Sequence, residues 1–206
     1  TPRTTVRRRA QRAAYDQETI FAILDEALIA HVGFVDGAQP YVLPMAFARI
    51  DRSLFLHGST KTRMLERIAA GEPICMTVTL TDGLVLARSA FHHSMNYRSV
   101  TIIGRGHAVV DVDRSLAAMR ALTEKLVPGR WDDVRAPNEQ ELKATRVVEI
   151  PIVEAAAKVR RGGPVDDEED LTLGVWAGCI PILQQYGNAV PDPRLASDTA
   201  LPDHVK

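Results

Sequence analysis

The chain has 206 residues, 46% of them hydrophobic, and its 25 basic and 26 acidic side chains leave a formal net charge of −1. That length supports one sizeable core and demands no second domain, while the near-neutral balance argues against a general nucleic-acid binder, which carries a strongly basic face. No run approaches the ~18 consecutive apolar residues of a membrane span, and the Arg-rich start lacks a leader's apolar core and cleavage site, so a cytoplasmic protein is expected.

Arg3, Arg7, Arg8, Arg9 and Arg12 precede the first acidic residue, Asp16, and residues 1–14 read as a solvated basic arm. From Asp16, which can cap its start, a helix is predicted to about Ala30 on the spacing of Ile20, Phe21, Ile23, Leu24, Ala27 and Leu28. A short strand at 31–35, a turn at Asp36-Gly37, a longer strand at 40–50 and a strand at 53–57 follow as an antiparallel meander. A helix over 61–70, with Met64, Leu65 and Ile68 on one face, stops at Gly71. Next come a strand at 74–80, a turn at Thr81-Asp82-Gly83, a strand at 84–89 and a long strand at 100–111. Helices are predicted at 114–127 and 138–144, then a final strand at 145–153. Residues 160–171, with the acidic run 166–170, read as a linker within a domain spanning 15–183, and 184–206 as a tail. Six or more strands joined by short turns predict a mainly β fold with flanking helices, a small antiparallel barrel. Cys75 and Cys179 each stand in an apolar stretch, where a thiol is expected to be buried and unpaired.

Chemistry concentrates in two places. The segment His57-Gly-Ser-Thr-Lys-Thr-Arg63 follows a strand and opens a helix, so first-turn amides, hydroxyls, Lys61 and Arg63 would converge on a bound anion. It lacks the glycines of a triphosphate-binding loop, and Gly104-Arg-Gly106 lies within a strand and opens no helix, which excludes a dinucleotide fingerprint. The second cluster, 92–100, stands at the mouth of the strand through Ile103, and two polar clusters at strand ends suggest one site. His92 and His93, as neighbours on a strand, point to opposite faces, and no carboxylate or thiol stands near them at ligand spacing; no metal site is expected. His93, whose polar neighbourhood continues through Ser94 and Asn96, is the candidate for donating a hydrogen bond or proton to something bound. Trp176, with glycines nearby, reads as a packing anchor with a face open to a flat ligand.

Taken together, the stretches 40–47, 56–63, 93–104 and 175–181 resemble the flavin-nucleotide-binding split-barrel proteins related to pyridoxamine 5′-phosphate oxidase, in their nitroimidazole-resistance branch. The most specific piece is His93-Ser-Met-Asn-Tyr-Arg-Ser-Val100, and the resemblance spans roughly 15–183. It implies a six-stranded antiparallel split barrel that forms a homodimer, with FMN held in clefts between the subunits. It further implies that His57, Ser59, Lys61, Thr62 and Arg63 take the FMN phosphate and that Leu43, Pro44 and Met45 line the isoalloxazine with backbone groups. Arg98 and Ser99 would border the cofactor, Trp176 would reach it across the dimer, and His93 would be the catalytic residue beside the ring. Thr62 departs from relatives that place glycine or a second basic residue there. The implied reaction passes electrons from a reduced nicotinamide through FMN to a small electron-poor acceptor such as a nitroimidazole. The alternatives are a flavin-binding or electron-transfer module without turnover, and a related split-barrel protein using haem or a deazaflavin. A vitamin B6 substrate pocket is not recognisable, and neither nucleic acid nor membrane is an expected partner.

Overall fold

The structure, a computed structural model, describes residues 1–196 and 198–205. In chain order the elements are β1 (Ala13–Ala14), α1 (Gln17–Glu26), β2 (Ile29–Asp36), β3 (Gln39–Ala46), β4 (Ala48–Ile50), β5 (Ser53–Ser59), α2 (Arg63–Ala69) and β6 (Pro73–Leu86). There follow β7 (Ser94–Arg105), β8 (His107–Ala108), α3 (Val112–Leu126), α4 (Arg130–Asp133), α5 (Glu139–Ala144), β9 (Thr145–Pro151), β10 (Glu154–Arg160) and β11 (Gly178–Pro181). The strand pairs are antiparallel. One sheet runs β1-β10-β7-β6-β2-β3, with β11 added to the far end of β6, and the other runs β4-β5-β9-β8. Three nearly continuous runs, β3 into β4, β7 into β8 and β9 into β10, cross from one sheet to the other. This is the mainly β, split-barrel architecture with flanking helices.

Alternation decides what lies between the sheets. On β5, Leu54 and Leu56 face Ile150 and Val148 of β9 and join Val32, Met76, Val78, Val100 and Ile102 in the main core. α1 contributes Ile20, Ile23 and Leu24, and α2 caps the core with Met64, Leu65 and Ile68. Burying each such side chain contributes about 1.5–3 kcal/mol. The intervening residues Phe55 and Val147 face the other way and meet Ala118 and Met119 of α3 in a smaller cluster. At the corner between β7 and β8, a Cβ on Gly106 would stand 2.5 Å from Ile68 Cγ2 and 2.8 Å from the Glu149 carbonyl oxygen, so only glycine fits.

Four expectations are corrected. Thr81-Asp82-Gly83 is no turn: β6 continues through it with a register shift between Thr81 and Gly83, because both halves keep pairing with β7. β7 begins at Ser94 and ends at Arg105, so the second polar cluster lies largely on the strand and not before it. β10, to which no element was assigned, pairs along its whole length with β7. Both cysteines are exposed, since alternation turns Cys75 outward between buried Ile74 and Met76, and Cys179 lies on the added strand β11. The basic arm is anchored: Arg3 and Thr1 pair with Glu154, and the Tyr15 hydroxyl accepts the Val6 amide at 2.9 Å.

Candidate functional site

The segment expected to bind an anion is the corner where β5 runs into α2. The helix starts at Arg63, two residues later than predicted, so Lys61 and Thr62 belong to the loop, and the Thr62 side chain makes no capping bond. The loop is tied down by its own amides: Thr60 N–H donates to the Ala144 carbonyl at 3.0 Å, Thr62 N–H to the Ser59 carbonyl at 2.9 Å, and Lys61 N–H to Ser59 Oγ at 3.2 Å. The Lys61 side chain is exposed and has no partner among the described residues. Arg63 is not free: Nη1 donates to Asp36 at 2.9 Å and the guanidinium lies 4.5 Å from the Tyr41 ring centroid. Asp36 also accepts from Arg67 at 2.5 Å. Burial alone would raise the Asp36 carboxyl, but the hydrogen bonds and charges of Arg67 and Arg63 outweigh it and hold the group low.

Strand alternation splits the expected phosphate set. His57 and Ser59 lie on the same face as Phe55, toward α3 and α5, whereas Gly58 faces the start of α2. Surrounding protein strips water from the His57 imidazole and keeps it below the ordinary histidine range, although the residue retains an exposed face. Directly opposite Gly58 stands Arg146, a cation that the sequence reading missed because an arginine opening a strand resembles any solvated residue. Its Nη1 is shielded from solvent and has no hydrogen-bond partner among the described residues.

Leu43, Pro44 and Met45 lie on β3, the edge strand, which among the described residues pairs only with β2. Pro40 and Pro44 suit an edge, where a missing N–H breaks no ladder. Tyr41, beneath Arg63, is three residues from Pro44, so this edge leads away from the anion corner over roughly 10 Å.

His93 and Trp176 stand near the other end of β6, while Arg98 and Ser99 pair with its middle, opposite Leu80 and Thr79. Ser94 pairs with Val85, and Gly178 of β11 with Leu86. His92 and His93 lie not on a strand but at a 3-10 turn, Ala90–His92, with His93 as its C-cap. His92 Nε2 meets Asp167 at 3.1 Å, and His93 Nδ1 meets the Ser89 carbonyl at 2.9 Å. A carbonyl only accepts, so His93 carries a hydrogen on Nδ1, which in the neutral ring places the lone pair on Nε2. The Trp176 ring packs over Gly178, where a Cβ would stand 2.9 Å from Cζ2. Within the chain, the segment that follows Trp176 joins this chain's own sheet. Arg98 is a clamp between Glu26 and Asp82, with Nη2 2.7 Å from each carboxylate. Its hydrogen bonds hold both carboxyls below their ordinary range. Ser99 Oγ donates to the Lys158 carbonyl at 3.4 Å. Arg160, 6% exposed, donates to the Gly162 and Gly163 carbonyls and to Asn96, fixing the start of the linker.

The two clusters therefore do not meet within one chain. From Cys75, beside β2 and the anion corner, to Val85, beside Ser94, β6 covers roughly 30 Å. Among the described residues, no group of three or more His, Cys, Asp or Glu side chains could hold a metal ion, and no helix is long and apolar enough to cross a membrane.

An antiparallel split barrel with a basic corner beside a free strand edge defines the class. A family model described as pyridoxamine 5′-phosphate oxidase matches residues 16–159, and the chain belongs to that family. Among solved structures, the flavocytochrome Anf3 from Azotobacter vinelandii is 40% identical, with a TM-score of 0.94 over 100% of this chain and 95% of that one. The FAD and haem binding protein from Mycobacterium smegmatis is 35% identical, with a TM-score of 0.90 over 94% of this chain and 95% of that one. A putative 5-nitroimidazole antibiotic resistance protein from Bacteroides thetaiotaomicron, 23% identical, shares the fold with a TM-score of 0.59 over 71% of this chain and 86% of that one. No curated protein matches.

Proposed function

We propose that this protein is a redox protein of the flavocytochrome type, binding a flavin and a haem and working as a homodimer. The observation that carries the reading is the end-to-end likeness to the flavocytochrome: it takes in the arm and the segments after residue 159, which the family model leaves out. The residues present fit a flavin. Lys61 offers an uncommitted cation to its phosphate, and the edge of β3 offers backbone groups to its ring about one ribityl chain away. On this reading the flavin is FAD, as in the Mycobacterium relative, in place of the FMN implied by the sequence resemblance.

Bound, a flavin supplies two-electron chemistry and a haem one-electron transfer. The chain's own part is positional. Ser89 fixes the His93 tautomer, so that Nε2 presents a lone pair able to take a proton beside the flavin or to ligate an iron. The separation of His93 from Lys61 along β6 supports a cleft shared by two copies, each giving one end. Ile29 and Val42, 46% and 64% exposed, add apolar surface for that contact.

The absorbance spectrum of freshly purified protein tests this reading, with chromatography of the acid-released flavin to separate FAD from FMN. Flavin and haem bands together support it; colourless protein that takes up neither group overturns it. Adding NAD(P)H with a nitroimidazole acceptor tests the reductase activity expected from the sequence. In His93→Ala, a displaced haem band assigns the lone pair to iron, and an unchanged haem band with slowed flavin reduction assigns it to proton transfer. Sedimentation of a stable monomer that still binds flavin would remove the shared cleft.

A further inference from the structure

We propose that Arg146 is the principal phosphate-binding residue of the anion corner, donating from its guanidinium to the phosphate group of the flavin; this rests on the flavin reading above. Arg146 and Gly58 are partners in the register of β5 and β9, and directly opposed residues of an antiparallel pair share a face. Their face is the one on which Leu56 and Val148, then Leu54 and Ile150, fill the core. The column ends at Gly58 and Arg146, beside the start of α2. A Cβ on Gly58 would stand 3.0 Å from Leu65 Cδ1 and 3.7 Å from Thr62 Oγ1, so the glycine lets the start of α2 and the loop pack closely against this end of the strand pair, beside Arg146. The Thr60 amide bond to the Ala144 carbonyl fastens the loop two residues from Arg146.

The charge is uncommitted where its neighbours are spent. Arg63 is held by Asp36, and Arg67 by Asp36 and Glu72. Arg146 forms no ion pair among the described residues, and its Nη1 is buried without an acceptor. A buried donor left unpaired is unfavourable, and more so on a cation, unless an anion completes it. Arg146 and Lys61 thus replace the Lys61–Arg63 pair expected from the sequence.

The experiment measures the affinity of riboflavin, FMN and FAD for wild type, Arg146→Gln and Arg146→Lys, with the thermal midpoint of each protein before and after flavin addition. Wild type is expected to favour the phosphorylated flavins. Arg146→Gln should weaken FMN and FAD by roughly tenfold or more, leave riboflavin within about twofold, and melt no earlier than wild type without ligand. Arg146→Lys should recover part of the loss. An Arg146→Gln protein that is folded and keeps the wild-type preference for FMN over riboflavin overturns the assignment while the flavin reading stands. A wild type that binds no flavin overturns both.

Discussion

The carboxylate of Asp166, 1% exposed, accepts both the backbone amide and Nη1 of Arg88, each at 2.8 Å. One acidic residue of the linker thereby pins the loop that runs through Ser89 to His93. Burial would raise the Asp166 carboxyl, and the amide and guanidinium of Arg88 together outweigh it and hold the group low. A lowered folded value means that the contact is complete above the ordinary carboxylate range and is lost as pH falls through the lowered value. In Asp166→Asn, hydrogen exchange of amides 88–93 should accelerate while that of β6 stays slow. Unchanged exchange in 88–93 would show that the loop holds itself.

Arg98 joins the end of α1 to β6 by holding Glu26 and Asp82 on one guanidinium. Replacing it with Met should cost about 1–2 kcal/mol at neutral pH after solvent screening, read by urea denaturation. Both carboxyls are depressed by Arg98, so this contribution exists above their unfolded values and fades as acid protonates them. The gap between wild type and variant should close at low pH; a gap that widens there contradicts the clamp.

Lys125 reaches from α3 to donate to the Leu24 carbonyl at 2.7 Å, with Nζ 3.5 Å from the Phe47 ring centroid. Desolvation is the main cause that brings its ammonium down to about 8; Asp25 opposes the fall and Arg49 adds to it. Because the folded state gives up this proton before the unfolded chain does, stability should rise with pH from about 8 toward the ordinary lysine value. The thermal midpoint of wild type should therefore gain on that of Lys125→Met across this window. A constant difference would mean that the lysine is well solvated.

Gly106 is walled by Ile68, Ile150 and the Glu149 carbonyl. Backbone cannot swing aside as a side chain can, so Gly106→Ala should destabilise by about 1–3 kcal/mol. A variant as stable as wild type in denaturant would show that the β7–β8 corner relaxes freely.

The strands β2, β5 and β9 were readable in the sequence, β9 through Val148 and Ile150 alternating with charged neighbours, and the apolar face of α2 was visible in Met64, Leu65 and Ile68. β10 was not, because Glu-Ala-Ala-Ala-Lys-Val-Arg carries little strand propensity and is held extended by its pairing with β7 on one side and β1 on the other. Thr81-Asp82-Gly83 has turn chemistry, which the long ladder with β7 overrides as a bulge. At the anion corner, local sequence located the loop and Lys61. It gave no sign that Asp36 would occupy Arg63, or that Arg146, 88 residues past Gly58 in the chain, would stand across from that glycine. Those are long-range facts of charge and register.

β6 keeps Lys61 and His93 at opposite ends of one subunit. In the proposed dimer, each cleft then takes its basic corner from one copy and its histidine from the other. Two defective proteins, one altered only at Lys61 and one only at His93, should complement when their subunits are exchanged, since every mixed pair contains one cleft with both ends native and one with neither.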